Sequence, residues 1–79
     1  MKYNNNYISY VSIKRTYGYG QYTLECEWID NNGEWQSHSI HSTDSELYDH
    51  YHSNDADDEN YQNAKMIIAG KVIDHFYSI

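Results

Sequence analysis

Apolar and polar side chains alternate most cleanly from Gln21 to Ile29. Tyr22, Leu24, Cys26 and Trp28 fall on one side, and Thr23, Glu25, Glu27 and Ile29 on the other. This period-two pattern in a run rich in aromatic and β-branched residues predicts a strand with one buried and one wet face. Turn signals flank it, Gly18-Tyr19-Gly20 before and Asp30-Asn31-Asn32-Gly33 after. A partner strand is therefore expected on each side, with this strand at the centre of a small antiparallel sheet.

The first strand is predicted over Tyr7 to Thr16, with Met1 to Asn6 as a loose lead-in from which Lys2-Tyr3 could extend it. Its faces separate less cleanly: Tyr7, Val11 and Ile13 fall on one side, and Ile8, Tyr10, Ser12 and Lys14 on the other. A type II′ turn at Gly18-Tyr19 would set Ile13 opposite Leu24 and Val11 opposite Cys26, apolar on apolar. Asn32-Gly33 is a strong signal for a two-residue type I′ hairpin, launching a third strand from Glu34 to Ile40 or His41. In that register Glu27 faces His38, Glu25 faces Ile40, Trp28 and Cys26 meet Ser37 and Ser39, and Trp35 falls on the core side.

The pattern then lengthens to helical spacing. Thr43 as N-cap with Glu46 three residues on reads as a capping box. It opens a short helix, about Asp44 to His52, with Leu47, Tyr48 and Tyr51 as its apolar side. Ser53 to Asp58 breaks it. Asp57, Asp58 and Glu59 suit the N-terminus of a second helix, which runs to about Tyr77. Tyr61, Ala64, Ile68, Ala69, Val72, Ile73 and Phe76 form its core stripe. Gly70 within it costs about 1 kcal/mol against Ala unless close packing requires it. The expected fold is α+β, a three-stranded antiparallel sheet in the order β-β-β-α-α with two helices packed on one face and the other face in water, as a single domain over residues 1–79.

Composition narrows the function. At 79 residues the core is small, so the ten Tyr, two Trp and one Phe must supply much of it. Twelve Asp and Glu against five Lys and Arg give a formal charge of −7. Phosphates need cations, so this argues against a nucleic-acid binder and for a basic partner. A lone cysteine, the absence of a signal-peptide core near Met1, and no run of roughly 18 apolar residues suggest a cytoplasmic protein.

Catalytic chemistry has little to stand on. Cys26 lies on the apolar side of the central strand, where a cysteine is an inert small hydrophobe, and no glycine-rich phosphate loop is present. No enzyme activity and no cofactor are expected. His38, His41, His50 and His52, with Asp44, Asp49, Asp55, Asp57 and Asp58, supply nitrogen and oxygen donors for a transition metal. Their spacing is poor, since His50 and His52 point to different sides of a helix, and a metal-binding module is only a third reading. The acidic run Asp55, Asp57, Asp58 and Glu59 is either a solvated helix start or a mimic of nucleic-acid phosphates directed at a DNA-binding protein. Glu25 and Glu27 say more. With Tyr10, and with Tyr3 and Tyr17 as further candidates, they would form a tyrosine and carboxylate surface on the wet sheet face, suited to Lys or Arg of a partner protein.

Several of these residues also carry a resemblance. Met1-Lys2 and Tyr3, Tyr10 with Ile13, Tyr17, Gly20, Glu27, the Asn32-Gly33 turn, and Ser42-Thr43 followed by Glu46-Leu47 resemble, in order and spacing, a small type I-F anti-CRISPR protein made by phages. The match needs a gap of about one residue in the second strand, and the last helix agrees only in position and character. The resemblance implies a phage inhibitor that binds the backbone subunits of a host bacterial CRISPR-Cas surveillance complex and stops target DNA pairing with the guide. It also implies two tyrosines and a glutamate on the sheet as contacts, at Tyr3, Tyr17 and Glu27. The strand register departs from it at one point, placing Tyr17 on the core side.

Overall fold

The structure, a computed structural model, describes residues 1–16, 18, 20–53 and 59–78. The elements are β1 (Lys2–Tyr3), β2 (Asn6–Arg15), β3 (Tyr22–Ile29), β4 (Trp35–Ser42), α1 (Ser45–Tyr51) and α2 (Glu59–Tyr77). The fold is α+β, but the antiparallel sheet has four strands in the order β1-β2-β3-β4 rather than three.

The extra strand comes from the lead-in. Asn4 and Asn5 both take positive φ, 47° and 66°, which a two-residue type I′ turn demands and which asparagine tolerates better than other side chains. Tyr3 consequently faces Asn6, and Lys2 faces Tyr7. The buried Asn6 side chain ties the turn together by donating to the carbonyls of Tyr3 at 3.0 Å and Asn4 at 3.2 Å.

Between β2 and β3 the expected register is found, with Ile13 opposite Leu24 and Val11 opposite Cys26. The mixed faces of β2 have a physical cause, a bulge at Ser9. Ile8 pairs with Trp28 but Tyr10 pairs with Glu27, so one extra residue is inserted between them and the side-chain phase flips. Ile8 therefore joins Val11 and Ile13 in the core, and Tyr7 joins Tyr10 on the open face, correcting the simple alternation.

The second hairpin is shifted by one residue from expectation. Glu27 faces Ser37, Glu25 faces Ser39, Cys26 faces His38 and Trp28 faces Gln36. The loop has three residues: Gly33 N–H donates to the Asp30 carbonyl at 3.0 Å, Asp30 N–H donates to the Glu34 carbonyl at 2.9 Å, and of the loop residues only Gly33 has positive φ, 80°. That is a type I turn closed by a left-handed glycine. Asp30 selects it, because its Oδ1 accepts from the backbone N–H of Asn32 and of Glu34, both at 2.9 Å, while Oδ2 accepts from Gln36 at 3.0 Å. A one-residue slip reverses every side chain. Trp35 thus lies on the open face opposite Ile29, not in the core.

The cap of α1 is Asp44 rather than Thr43. Its carboxylate accepts from Leu47 N–H at 3.0 Å, and its own N–H is held by the Ser42 hydroxyl at 3.1 Å. Leu47 enters the core, and the Tyr48 ring stacks on Tyr22 with centroids 4.8 Å apart. The α2 stripe is as predicted, with Ala64, Ile68, Ala69, Val72 and Ile73 buried against Ile13, Leu24, Cys26 and Trp28 in one cluster. Trp28 is fully buried, edge-on to Phe76 at 5.2 Å, with its indole N–H donating to the Tyr77 hydroxyl at 3.3 Å. Gly70 sits where a Cβ would stand 3.3 Å from the Tyr3 ring, so close packing accounts for it.

Candidate protein-binding face

Both helices lie on one side of the sheet, and among the described residues no helix covers the other side. Cross-strand pairing orders its side chains into rows: Tyr7, Ile29, Trp35; then Tyr10, Glu27, Ser37; then Ser12, Glu25, Ser39; then Lys14, Thr23, His41. Three large aromatics stand out into solvent here, Tyr7 at 52 %, Tyr10 at 43 % and Trp35 at 57 % exposure. The bulge at Ser9 and the three-residue loop at Asn31 to Gly33 are what bring Tyr7 and Trp35 to this face. Neither was expected there from the alternation. The mixed faces of β2 carried a hint of the bulge, whereas the Asn-Gly signal pointed to the wrong loop length.

The two glutamates differ in character. Glu25 is answered within the chain, since Ser12 Oγ donates to its Oε2 at 3.3 Å and Lys14 Nζ lies 3.5 Å from the same oxygen. The Glu27 carboxylate makes no hydrogen bond or ion pair among the described residues, and the side chain projects between Tyr10 and Ser37. Tyr10, Glu25, Glu27, Ser37 and Ser39 line a shallow depression of about 410 Å³. A carboxylate with no partner among the described residues can accept hydrogen bonds from a cation, while the exposed ring beside it offers a π face.

The other candidate residues fall elsewhere. Tyr3 is on the helix side, its ring against Gly70 and its hydroxyl donating to Asp74 at 2.7 and 2.9 Å. That hydrogen bond, followed by desolvation and the Asp74 charge, raises the hydroxyl above the ordinary tyrosine range. Tyr3 therefore does not belong to the open-face group, because opposition to Asn6 fixes its side of the sheet. Tyr17 lies outside the described residues, as do Asp55, Asp57 and Asp58. Glu59 is exposed at the first residue of α2.

The histidines are dispersed. His38 Nε2 meets His75 Nδ1 at 3.1 Å on the helix side, His41 is on the open face, and His50 lies 3.9 Å from Glu46. His52 Nε2 is 2.9 Å from the Ile13 carbonyl, a contact that requires this nitrogen to carry the proton. Among the described residues no three or more His, Cys, Asp or Glu side chains come close enough together to hold a metal ion. Cys26 is fully buried, and burial, then the neighbouring Glu27 charge, push its thiol up to about 12. Among the described residues no helix is long and apolar enough to cross a membrane.

Comparison with protein families, curated proteins and solved structures yields no match to this chain.

Proposed function

We propose that this chain is a non-enzymatic binding protein whose open sheet face docks on a basic, nucleic-acid-facing protein surface. The resemblance to type I-F anti-CRISPR proteins points to the backbone subunits of a CRISPR-Cas surveillance complex in the bacterial cytoplasm, and to blocked hybridisation of target DNA. The observation that carries the reading is Glu27: a carboxylate with no partner among the described residues, set beside exposed Tyr10 in a chain of formal charge −7. Of the contacts implied by the resemblance, two lie among the described residues: Glu27 is on the open face and Tyr3 faces α2.

The test is affinity for the purified surveillance complex, with a melting temperature for each variant. Glu27→Arg is expected to weaken binding by several kcal/mol, since attraction becomes repulsion and the partner's cations are left unpaired. Its stability should change by less than about 0.5 kcal/mol, because the half-buried side chain has no hydrogen bond or ion pair among the described residues to lose. Tyr10→Ala should act in the same direction. Unchanged binding in Glu27→Arg, with a large loss in Asp57→Lys combined with Asp58→Lys, would replace the sheet face by the acidic-mimic reading. Wild-type protein that fails to bind the complex would refute the assignment of the partner.

A further inference from the structure

The two edges of the sheet are treated differently. In an antiparallel ladder, residues that exchange hydrogen bonds with the neighbouring strand alternate with residues whose N–H and C=O point outward. Thr16 N–H donates to the Gln21 carbonyl at 3.0 Å, so Lys14, Ser12 and Tyr10 bond to β3, while Ile13 and Val11 point away. Those outward carbonyls are where α1 intervenes: the Tyr51 hydroxyl donates to Val11 O at 2.8 Å and the His52 ring N–H to Ile13 O at 2.9 Å. Nearer its start, β2 is covered by β1.

The same count on β4 starts from Asp30 and Glu34, which are joined at 2.9 Å. Gln36, His38, Ile40 and Ser42 then bond to β3, and Trp35, Ser37, Ser39 and His41 present N–H and C=O outward. Among the described residues no strand pairs with this edge. It carries no proline, no lysine and no bulge, three of the devices that protect an edge. His38 and Ile40 beside it are only half-buried, although their β3 partners Cys26 and Leu24 are fully buried.

We infer that the β4 edge pairs with the β4 edge of a second copy of this chain, making one continuous sheet about a two-fold axis. Two features select a second copy. The outward residues read aromatic, serine, serine, aromatic, so an antiparallel register centred on His38 sets Trp35 against the partner copy's His41 and serine against serine, the self-complementarity that a two-fold interface needs. Trp35–Ser42 also contains no Asp, Glu, Lys or Arg in a chain of charge −7, so the pairing brings no carboxylates together. Paired residues share a side of the sheet, which places both copies of the Glu27 face on the same side.

Sedimentation velocity from micromolar to millimolar concentration tests this, with amide exchange read alongside. The expected result is a species of twice the 9.4 kDa chain mass, in which the Ser37, Ser39 and His41 amides exchange at least tenfold more slowly than in the monomer. Ser39→Pro removes an outward N–H, which an edge strand tolerates, and should give a folded monomer. Should that variant fail to fold, Ser37→Lys combined with Ser39→Lys decides, because it sets lysine against lysine across the two-fold. A wild-type monomer throughout the range overturns the inference and leaves the edge to a strand of another protein. A dimer that survives the lysine pair but is lost in Glu27→Arg also overturns it, in favour of association through the open face.

Discussion

Replacing Gly70 by Ala sets two effects of opposite sign against each other. An alanine in a helix interior is favoured over glycine by about 1 kcal/mol. The new methyl, however, would stand 3.3 Å from Cε2 and Cζ of Tyr3, a few tenths of an ångström inside ordinary contact. The ring is not free to yield, because its hydroxyl is held by both oxygens of Asp74, at 2.9 and 2.7 Å. Overpacking costs about 1–3 kcal/mol, and the low end applies here because Tyr3 sits on a two-residue edge strand. Loosening a solvent-exposed hydrogen bond adds about 0.5 kcal/mol. The balance is a loss of about 0.5 kcal/mol for Gly70→Ala alone. In a Tyr3→Ala background the ring that makes the three nearest contacts to the methyl is gone, and the same substitution should gain about 1 kcal/mol. The coupling between the two sites is then about 1.5 kcal/mol, well above the few tenths expected of independent positions. Urea unfolding of the four proteins measures it, and each kcal/mol corresponds to about 4–8 °C in Tm for a domain of this size. Tyr3→Phe keeps the ring and removes only the tether, so it should recover part of the gain. If Gly70→Ala stabilises by about 1 kcal/mol with and without the Tyr3 ring, then Tyr3 does not pin β1 to α2 and the reasoning fails.

Cys26, with its thiol pushed up to about 12 by burial, should resist thiol reagents at neutral pH except through unfolding; rapid labelling of the native protein would contradict its place in the core. Cys26→Asp should abolish the cooperative melt, because it buries an unpaired charge in a core with little stability to spare. Asp30 is held below the ordinary carboxylate range, first by the Glu34 backbone N–H and then by Gln36 and the Asn32 N–H. Because the folded pKa is the lower one, its contribution is complete above the unfolded value of about 3.9 and fades as pH falls through the folded value. Asp30→Ala should therefore lower Tm at pH 7 and flatten the decline in acid, and an unchanged acid profile would show that the turn does not depend on this carboxylate. Tyr51→Phe leaves the Val11 carbonyl without its donor and should cost about 1 kcal/mol in urea unfolding; no loss would mean that water replaces the hydroxyl at this edge.

The sequence by itself determined the central strand, the stripe of α2 and the pairing of β2 with β3. Each rests on a local periodicity that a buried face enforces: Leu24, Cys26 and Trp28 have to point together, and Ile68, Val72 and Ile73 recur at helical spacing whatever their partners. The Glu27 side of β3 was legible for the same reason. What needed the tertiary structure was everything set by a single residue out of phase. Ser9 inserts one position into β2 and brings Tyr7 beside Tyr10. Asp30 captures two backbone N–H groups, draws the Asn-Gly turn into a three-residue loop, and so turns Trp35 out to solvent. Asn4 and Asn5 accept positive φ and fold the lead-in back as β1, which carries Tyr3 to the helix side and against Gly70. Local preference supplies only tenths of a kcal/mol at such turns, whereas register decides which side chains are buried at about 1.5–3 kcal/mol each. The packed core therefore chooses among turns that the sequence leaves nearly equal.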